Sequence, residues 1–168
     1  MKALQAVVPE RLRPSRLLPT RVHHQILCDA TPPDVWSVLR DPHRWPEFEA
    51  TLARVEGAAG HAVEGQRLLG VARGFPVRIP LDVRRVVPRK ALHLTIHSVP
   101  GLREELDIVL VPATRGGTQI TFLVRLSGPL ASAAALPVWF GSGMTARLLA
   151  KAAERELRRR LRETSGVA

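Results

Sequence analysis

The stretch Ala30–Phe48, "ATPPDVWSVLRDPHRWPEF", decides the fold of this chain. Prolines at positions 32 and 33, and again at 42 and 46, leave room for a helix of only about two turns over residues 33–39. Thr31 precedes the first proline and predicts the N-cap of that helix. The segment that follows, "RWPEFEATL", predicts a second short turn or helix. The stretch is therefore a pair of short, aromatic helical segments with fixed ends.

The composition indicates a globular chain of one domain. The protein has 168 residues, of which 45% are hydrophobic and 4% aromatic, with no tyrosine. The single cysteine, Cys28, excludes an internal disulfide and provides no ligand cluster for zinc. There is no apolar run of 18 residues, as a membrane-spanning helix would need. The N-terminus is a poor secretory signal, so we expect a cytoplasmic protein.

Residues on either side of the opening stretch predict strands. Residues 21–28 suit a first strand, and the alternation of apolar and polar side chains is clearest in the last strand, where Ile120 and Phe122 share one face. Pro80 lies inside one segment and predicts an edge strand or a bulge there. Strands with one apolar face form antiparallel sheets. The later predicted strands are 52–56, 66–73, 77–87, 91–99, 102–113 and 118–127.

From Pro129 to about Glu163 the pattern becomes helical, with Leu149 and Ala153 on an apolar stripe. Pro137 and the "GSG" at 141–143 predict a kink or break in the first half of this helix. We therefore expect an α+β fold, in which a curved antiparallel sheet of about seven strands wraps around a long C-terminal helix. The predicted divisions are an extended basic arm, a domain and a tail, at residues 1–20, 21–164 and 165–168.

The element order and two motifs resemble the START-like superfamily of polyketide cyclases, dehydrases and lipid-transfer proteins (SRPBCC), which share the helix-grip fold. The motifs are Ala30–Phe48 and "GGTQITFLVRLSGPL", residues 116–130. The resemblance implies a cavity between the sheet and the last helix, with the short helices near its mouth. It implies that Trp36 is mostly structural, whereas Trp45 and Phe48 are candidates for ligand contact.

An apolar cavity with a few polar groups suits a hydrophobic small molecule. The inward positions of the predicted strands and the bulky residues near the predicted kink are the candidate ligand contacts. Core packing explains any one of these residues equally well. The candidates, beside Trp45 and Phe48, are Leu81, Leu94, Ile96, Leu106, Phe122, Trp139, Phe140 and Met144.

Glu104 is the candidate catalytic residue. Its strand parity matches that of Leu106 and Ile108, which places it on the inward face. A carboxyl group in an apolar cavity has a raised pKa and can act as a general acid or base. The alternative is that Glu104 lies near the strand end, beyond the cavity, and pairs with Arg73 or Arg78.

The histidines do not predict a metal site. His93 and His97 are four residues apart on a strand, so their side chains are about 13 Å apart and face outward. No metal and no cofactor is expected.

Two classes of function remain open. The first is the binding of a hydrophobic small molecule, such as a polyketide, lipid or aromatic intermediate, by a non-catalytic carrier or by an enzyme resembling polyketide cyclases and dehydrases. The second follows from the net charge of +10, with arginines concentrated at both ends: a module that binds an anionic membrane surface or nucleic acid. Nucleic acid is disfavoured, because no exposed strand face carries stacking aromatics. The oligomeric state is not predicted.

Overall fold

The computed structural model describes residues 20–165, and it has the predicted α+β architecture. The predicted arm, apart from Thr20, and residues 166–168 of the predicted tail lie outside the described residues. The elements, in chain order, are β1 (Thr20–Cys28), α1 (Pro32–Leu39), a 3₁₀ helix called η1 (Pro42–Glu47), β2 (Leu52–Glu56), β3 (Arg67–Ala72), β4 (Arg78–Val87), β5 (Ala91–Val99), β6 (Leu102–Pro112), β7 (Thr118–Ser127) and α2 (Ala131–Ser165).

The strands form one antiparallel sheet in the order β1-β7-β6-β5-β4-β3-β2. The first strand therefore pairs with the last, and Thr20 lies opposite Leu126. The prediction for Pro80 is wrong, because β4 is an interior strand and its register shift lies between Val83 and Arg85. Pairing of β4 with β5 begins at Leu81, so Pro80 stands outside that ladder.

The two predicted short helical segments are both present, and the second, η1, begins at Pro42 and ends at Glu47 rather than spanning residues 44–52. Thr31 is the N-cap of α1, and the two prolines that follow occupy its first turn, where no backbone N–H is needed. Asp41 caps η1 by accepting a hydrogen bond from the backbone N–H of His43 at 3.0 Å. The indole N–H of Trp45 donates to the carbonyl of Leu39 at 2.9 Å. This bond satisfies a carbonyl at the end of α1 and joins the two segments.

The helix α2 is continuous from Ala131 to Ser165, so the predicted break is wrong. Pro137 lies in the second turn, where a proline removes one backbone hydrogen bond, and the helix continues beyond it. The side chain of Ser142 donates to the carbonyl of Val138 at 2.6 Å, which adds a bond one turn later. Gly143 gives room to a neighbour, because a Cβ there would lie 3.0 Å from the ring of His24.

The second half of α2 is held by packing and by buried ion pairs. Leu149 and Ala153 are fully buried, as the apolar stripe predicts. Asp34 of α1 is 2% exposed and lies 2.8 Å from a guanidinium nitrogen of Arg160. Glu156 is also buried, and it lies 3.2 Å from Arg44 of η1. The charged face of α2 is therefore partly a contact surface for the short helices.

Gly117 and Gly116 offer a matched test of the turn between β6 and β7. Both have positive φ, but a Cβ at Gly117 would lie 2.2 Å from the carbonyl oxygen of Cys28, whereas one at Gly116 meets nothing within 4 Å. We expect Gly116→Ala to cost about 1–2 kcal/mol of unfolding free energy through backbone strain. Gly117→Ala should cost at least ~1 kcal/mol more, because backbone must move. Urea unfolding of both variants measures the difference; equal losses would contradict the close approach.

Candidate functional site

A cavity lies where α2 leaves the sheet uncovered. The helix packs mainly against β1, β7 and α1, so the concave face of β4, β5 and β6 is left facing open space. The wider outer part has a volume of about 350 Å³ and is bounded on the helix side by Pro137, Val138, Gly141 and Ser142. An inner part of about 60 Å³ extends toward α1 and η1. The two parts share seven lining residues, so they form one cavity: Glu49, Leu52, Leu81, Ile96, Leu106, Phe122 and Thr145.

The walls are mostly apolar and include most of the candidate ligand contacts. The side chains come from inward positions of four strands, from η1 and from Phe48, the residue that directly follows η1. The geometry therefore brings these residues together, while contact with a ligand stays a prediction. The candidates on the wall are Trp45, Phe48, Leu81, Leu94, Ile96, Leu106 and Phe122.

Glu104 faces the outer part of this cavity, as its strand parity predicts. Its carboxylate accepts a hydrogen bond from the hydroxyl of Ser98 on β5. The alternative arrangement is not observed. Arg73 donates to the carbonyl of Leu52 at 3.0 Å, and Arg78 lies 3.7 Å from Glu56.

The surroundings of Glu104 raise the pKa of its carboxyl group above the ordinary value. Burial raises the pKa of the Glu104 carboxyl, because the charged form loses its hydration. The hydrogen bond from Ser98 lowers this pKa in part, and the negative charge of Glu49 raises it. A carboxyl group with a raised pKa can give and take a proton within the cavity.

Glu49 is a polar wall residue that the sequence analysis missed. It follows η1 and lies in no periodic segment, so strand parity could not place it. Its carboxylate accepts hydrogen bonds from the backbone and the hydroxyl of Thr51 at 3.1 and 2.7 Å, and from the hydroxyl of Thr145 at 2.7 Å. Three donors thus fix a second carboxylate on the wall that Glu104 also lines.

Trp139, Phe140 and Met144 do not line the cavity. Their exposed fractions are 47%, 62% and 55%, and they lie on the outer side of α2. The prediction placed them opposite the inward strand positions, beside a kink or break at Pro137 and residues 141–143. Because α2 is continuous, its cavity side at this level is formed by Val138, Gly141 and Ser142 instead.

A family model described as "Polyketide cyclase / dehydrase and lipid transport" matches residues 19–164. The chain belongs to this family. Family membership and the apolar cavity together support a role in binding a hydrophobic ligand. No curated protein sequence matches the chain.

Several solved structures share the fold of this chain. The Zhui aromatase/cyclase of Streptomyces sp. R1128 is 14% identical with a TM-score of 0.67, and the match covers 83% of this chain and 96% of that one. A protein of Mesorhizobium loti is 21% identical with a TM-score of 0.64, covering 81% and 98%. A Staphylococcus aureus protein of unknown function is 14% identical with a TM-score of 0.69, covering 83% and 96%. These likenesses show the helix-grip fold.

The histidines of β5 lie outside the cavity and pair with carboxylates. His93 lies 2.6 Å from Asp107 on β6, and His97 lies 3.3 Å from Asp82 on β4. Residues 20–165 contain no group of three or more His, Cys, Asp or Glu side chains arranged to hold a metal ion. Within the same residues, no helix is both long and apolar enough to span a bilayer.

The raised pKa of Glu104 predicts how its contribution to stability depends on pH. Because the folded-state pKa lies above the ordinary value of 4.5, the contribution is full below pH 4.5 and is lost as pH rises through the folded-state pKa. The unfolding free energy of the wild type minus that of Glu104→Gln should therefore fall as pH rises. Urea unfolding between about pH 4 and pH 8 measures it. Glu64→Gln, at an exposed loop position, is the control; the same pH trend in both variants would contradict the assignment.

Proposed function

We propose that this protein binds a hydrophobic small molecule of the polyketide, lipid or aromatic class in the cavity. The observation that carries the proposal is the apolar wall of a cavity of about 350 Å³, within the size range of ligand pockets. The fold supports it, because the short helices and α2 hold the cavity open without filling it.

We infer further that Glu104 performs acid–base chemistry on this ligand. Aldol closure and dehydration, the reactions of an aromatase/cyclase, need a group that takes one proton and gives another. Glu104 has a raised pKa and lies on the cavity wall, and Glu49 provides a second carboxylate. The alternative within this proposal is a carrier that holds its ligand without changing it.

Blocking the cavity mouth at Gly141 tests the binding site. A Cβ at Gly141 meets no atom within 4 Å, so a tryptophan can be placed there without a clash at the backbone. We expect Gly141→Trp to weaken binding of the uncharged fluorescent probe N-phenyl-1-naphthylamine about tenfold or more. Met144→Trp, on the outer side of the same helix, is the control and should bind as the wild type does. Equal probe affinity in both variants would place the site elsewhere.

The Glu104→Gln variant separates an enzyme from a carrier. Native mass spectrometry of the purified wild type identifies any co-purifying ligand, and the protein is then incubated with a linear polyketide thioester. An enzyme should cyclise the chain and lose this activity in Glu104→Gln, with probe binding retained. Unchanged substrate recovered from wild-type protein that binds it would support the carrier.

A second candidate function is docking on an anionic membrane surface, and the outer side of α2 favours it. Its first half exposes an apolar patch of Leu136, Trp139, Phe140 and Met144, exposed by 47–64%. A basic stripe continues the same face at helical spacing. Its exposed residues are Arg147, Lys151, Arg155, Arg158 and Arg162. A helix with aromatic and cationic residues of this kind binds the interface of anionic bilayers.

Charge complementarity makes the bilayer a better occupant of this face than a second copy of the chain. The protein carries a net charge of +10, so two copies that meet at the basic stripe repel each other. The segment before β1 is also basic, with one lysine and three arginines against one glutamate in residues 1–16. The patch lies on the outer side of α2, and the other side of the same helix bounds the cavity.

Vesicle sedimentation tests this second function. Phe140→Ser should weaken binding to vesicles containing one third phosphatidylserine by about tenfold, because an aromatic anchor is lost from the interface. Val111→Ser, an exposed apolar position at the other end of β6 from Glu104, should leave binding unchanged. Equal losses in both variants, or binding to duplex DNA in place of vesicles at physiological salt, would contradict membrane docking.

A further inference from the structure

The cavity carries negative groups and, in the described residues, no positive ones on its wall. Glu49 and Glu104 both line it, and none of the lining residues is arginine, lysine or histidine. This contrasts with the protein as a whole, whose net charge is +10. The charge of the interior is thus opposite to that of the surface.

The two carboxylates differ in how much hydrogen-bonding capacity they have left. An ionised carboxylate offers about four acceptor positions. Within residues 20–165, Glu49 already accepts three hydrogen bonds from protein groups, whereas Glu104 accepts one, from Ser98. Acceptor positions on Glu104 are therefore free on a wall that is otherwise apolar.

A ligand's charge changes its binding energy strongly at such a wall. An anionic group entering the cavity loses hydration and meets like charges, with no cation to compensate. An ammonium group carries three donors and a positive charge, which match the free acceptors of Glu104 and the field of Glu49. An uncharged group has neither the electrostatic penalty of an anion nor the electrostatic gain of an ammonium group.

We propose that the cavity is selective for an apolar molecule that carries a protonated amine, and that it rejects carboxylates and phosphates. The proposal rests on the proposed binding function and specifies its ligand chemistry. The selectivity arises from Glu49 and Glu104 together, while the apolar wall supplies binding that is independent of charge.

A series of ligands with one chain length and three head groups tests the selectivity. Decylamine, decanol and decanoate, each below its critical micelle concentration at pH 7, compete with N-phenyl-1-naphthylamine for the cavity. We expect the affinity for decylamine to exceed that for decanoate by about tenfold or more, and the affinity for decanol to lie between the two. The protein surface is cationic and attracts decanoate, so an amine preference cannot come from surface adsorption. Gly141→Trp, with the mouth blocked, corrects for any binding outside the cavity.

Variants then assign the selectivity to the two carboxylates. Glu104→Gln and Glu49→Gln should each reduce the ratio of decylamine to decanoate affinity several-fold, and the double variant should abolish the preference while decanol still binds. Glu64→Gln is the control outside the cavity and should keep the wild-type ratio. Circular dichroism confirms that each variant is folded, and the two single variants test the proposal separately.

The outcomes distinguish the proposed charge selectivity from the proposed binding of a hydrophobic small molecule. Decanoate binding as tightly as decylamine in the wild type would overturn the charge selectivity and leave hydrophobic binding intact. Selectivity that persists in the double variant would overturn the assignment to Glu49 and Glu104. Failure of the probe and of all three ligands to bind would overturn the proposed function itself.

Discussion

One helix must cover a sheet that is much wider than itself, and the rest of the structure follows from this mismatch. Seven strands at about 4.8 Å spacing span roughly 29 Å, whereas a helix with its side chains is about 10 Å wide. α2 packs mainly against β1 and β7, and the short helices close the end of the sheet near Trp45. Among residues 20–165, no helix covers the rest of the concave face that lines the cavity. The cavity is therefore a consequence of the architecture, and its apolar lining is the inner face that an antiparallel sheet ordinarily buries.

The same arrangement explains why the polar groups of the cavity are held rigidly. Glu49 is fixed from two sides, by Thr51 before β2 and by Thr145 on α2. Glu104 is fixed by Ser98 from the neighbouring strand. Each carboxylate thus has a protein partner on another element. The position of the Glu49 carboxylate also depends on how α2 lies on the sheet, because Thr145 belongs to that helix. At the far end of α2, the ion pairs of Asp34 and Glu156 with arginines secure that position.

Most of the fold could be predicted from sequence, because its signals are local. Proline positions predicted the ends of α1 and the presence of a second short helix, and alternation located the strands within one or two residues of their observed bounds. Strand parity is also a local signal, and it placed Glu104 on the cavity wall. Two features had no such signal. Glu49 lies in an irregular segment, where no periodicity assigns a direction. The orientation of Trp139, Phe140 and Met144 depended on whether Pro137 and two glycines interrupt the helix, and α2 is continuous through all three of those positions.

The pairing of β1 with β7 has a consequence for how the protein is made. Cys28, the last residue of the first strand, lies opposite Thr118, so residues 29–117 must be synthesised before the two strands can meet. During translation β1 is synthesised long before β7, the strand with which it pairs. α2, which packs on β1, is synthesised after β7. Contacts between parts of a chain that are far apart in sequence form slowly, and an unpaired strand edge is prone to pair with other chains. The cavity, which α2 bounds on one side, therefore forms only once this helix has packed against the sheet.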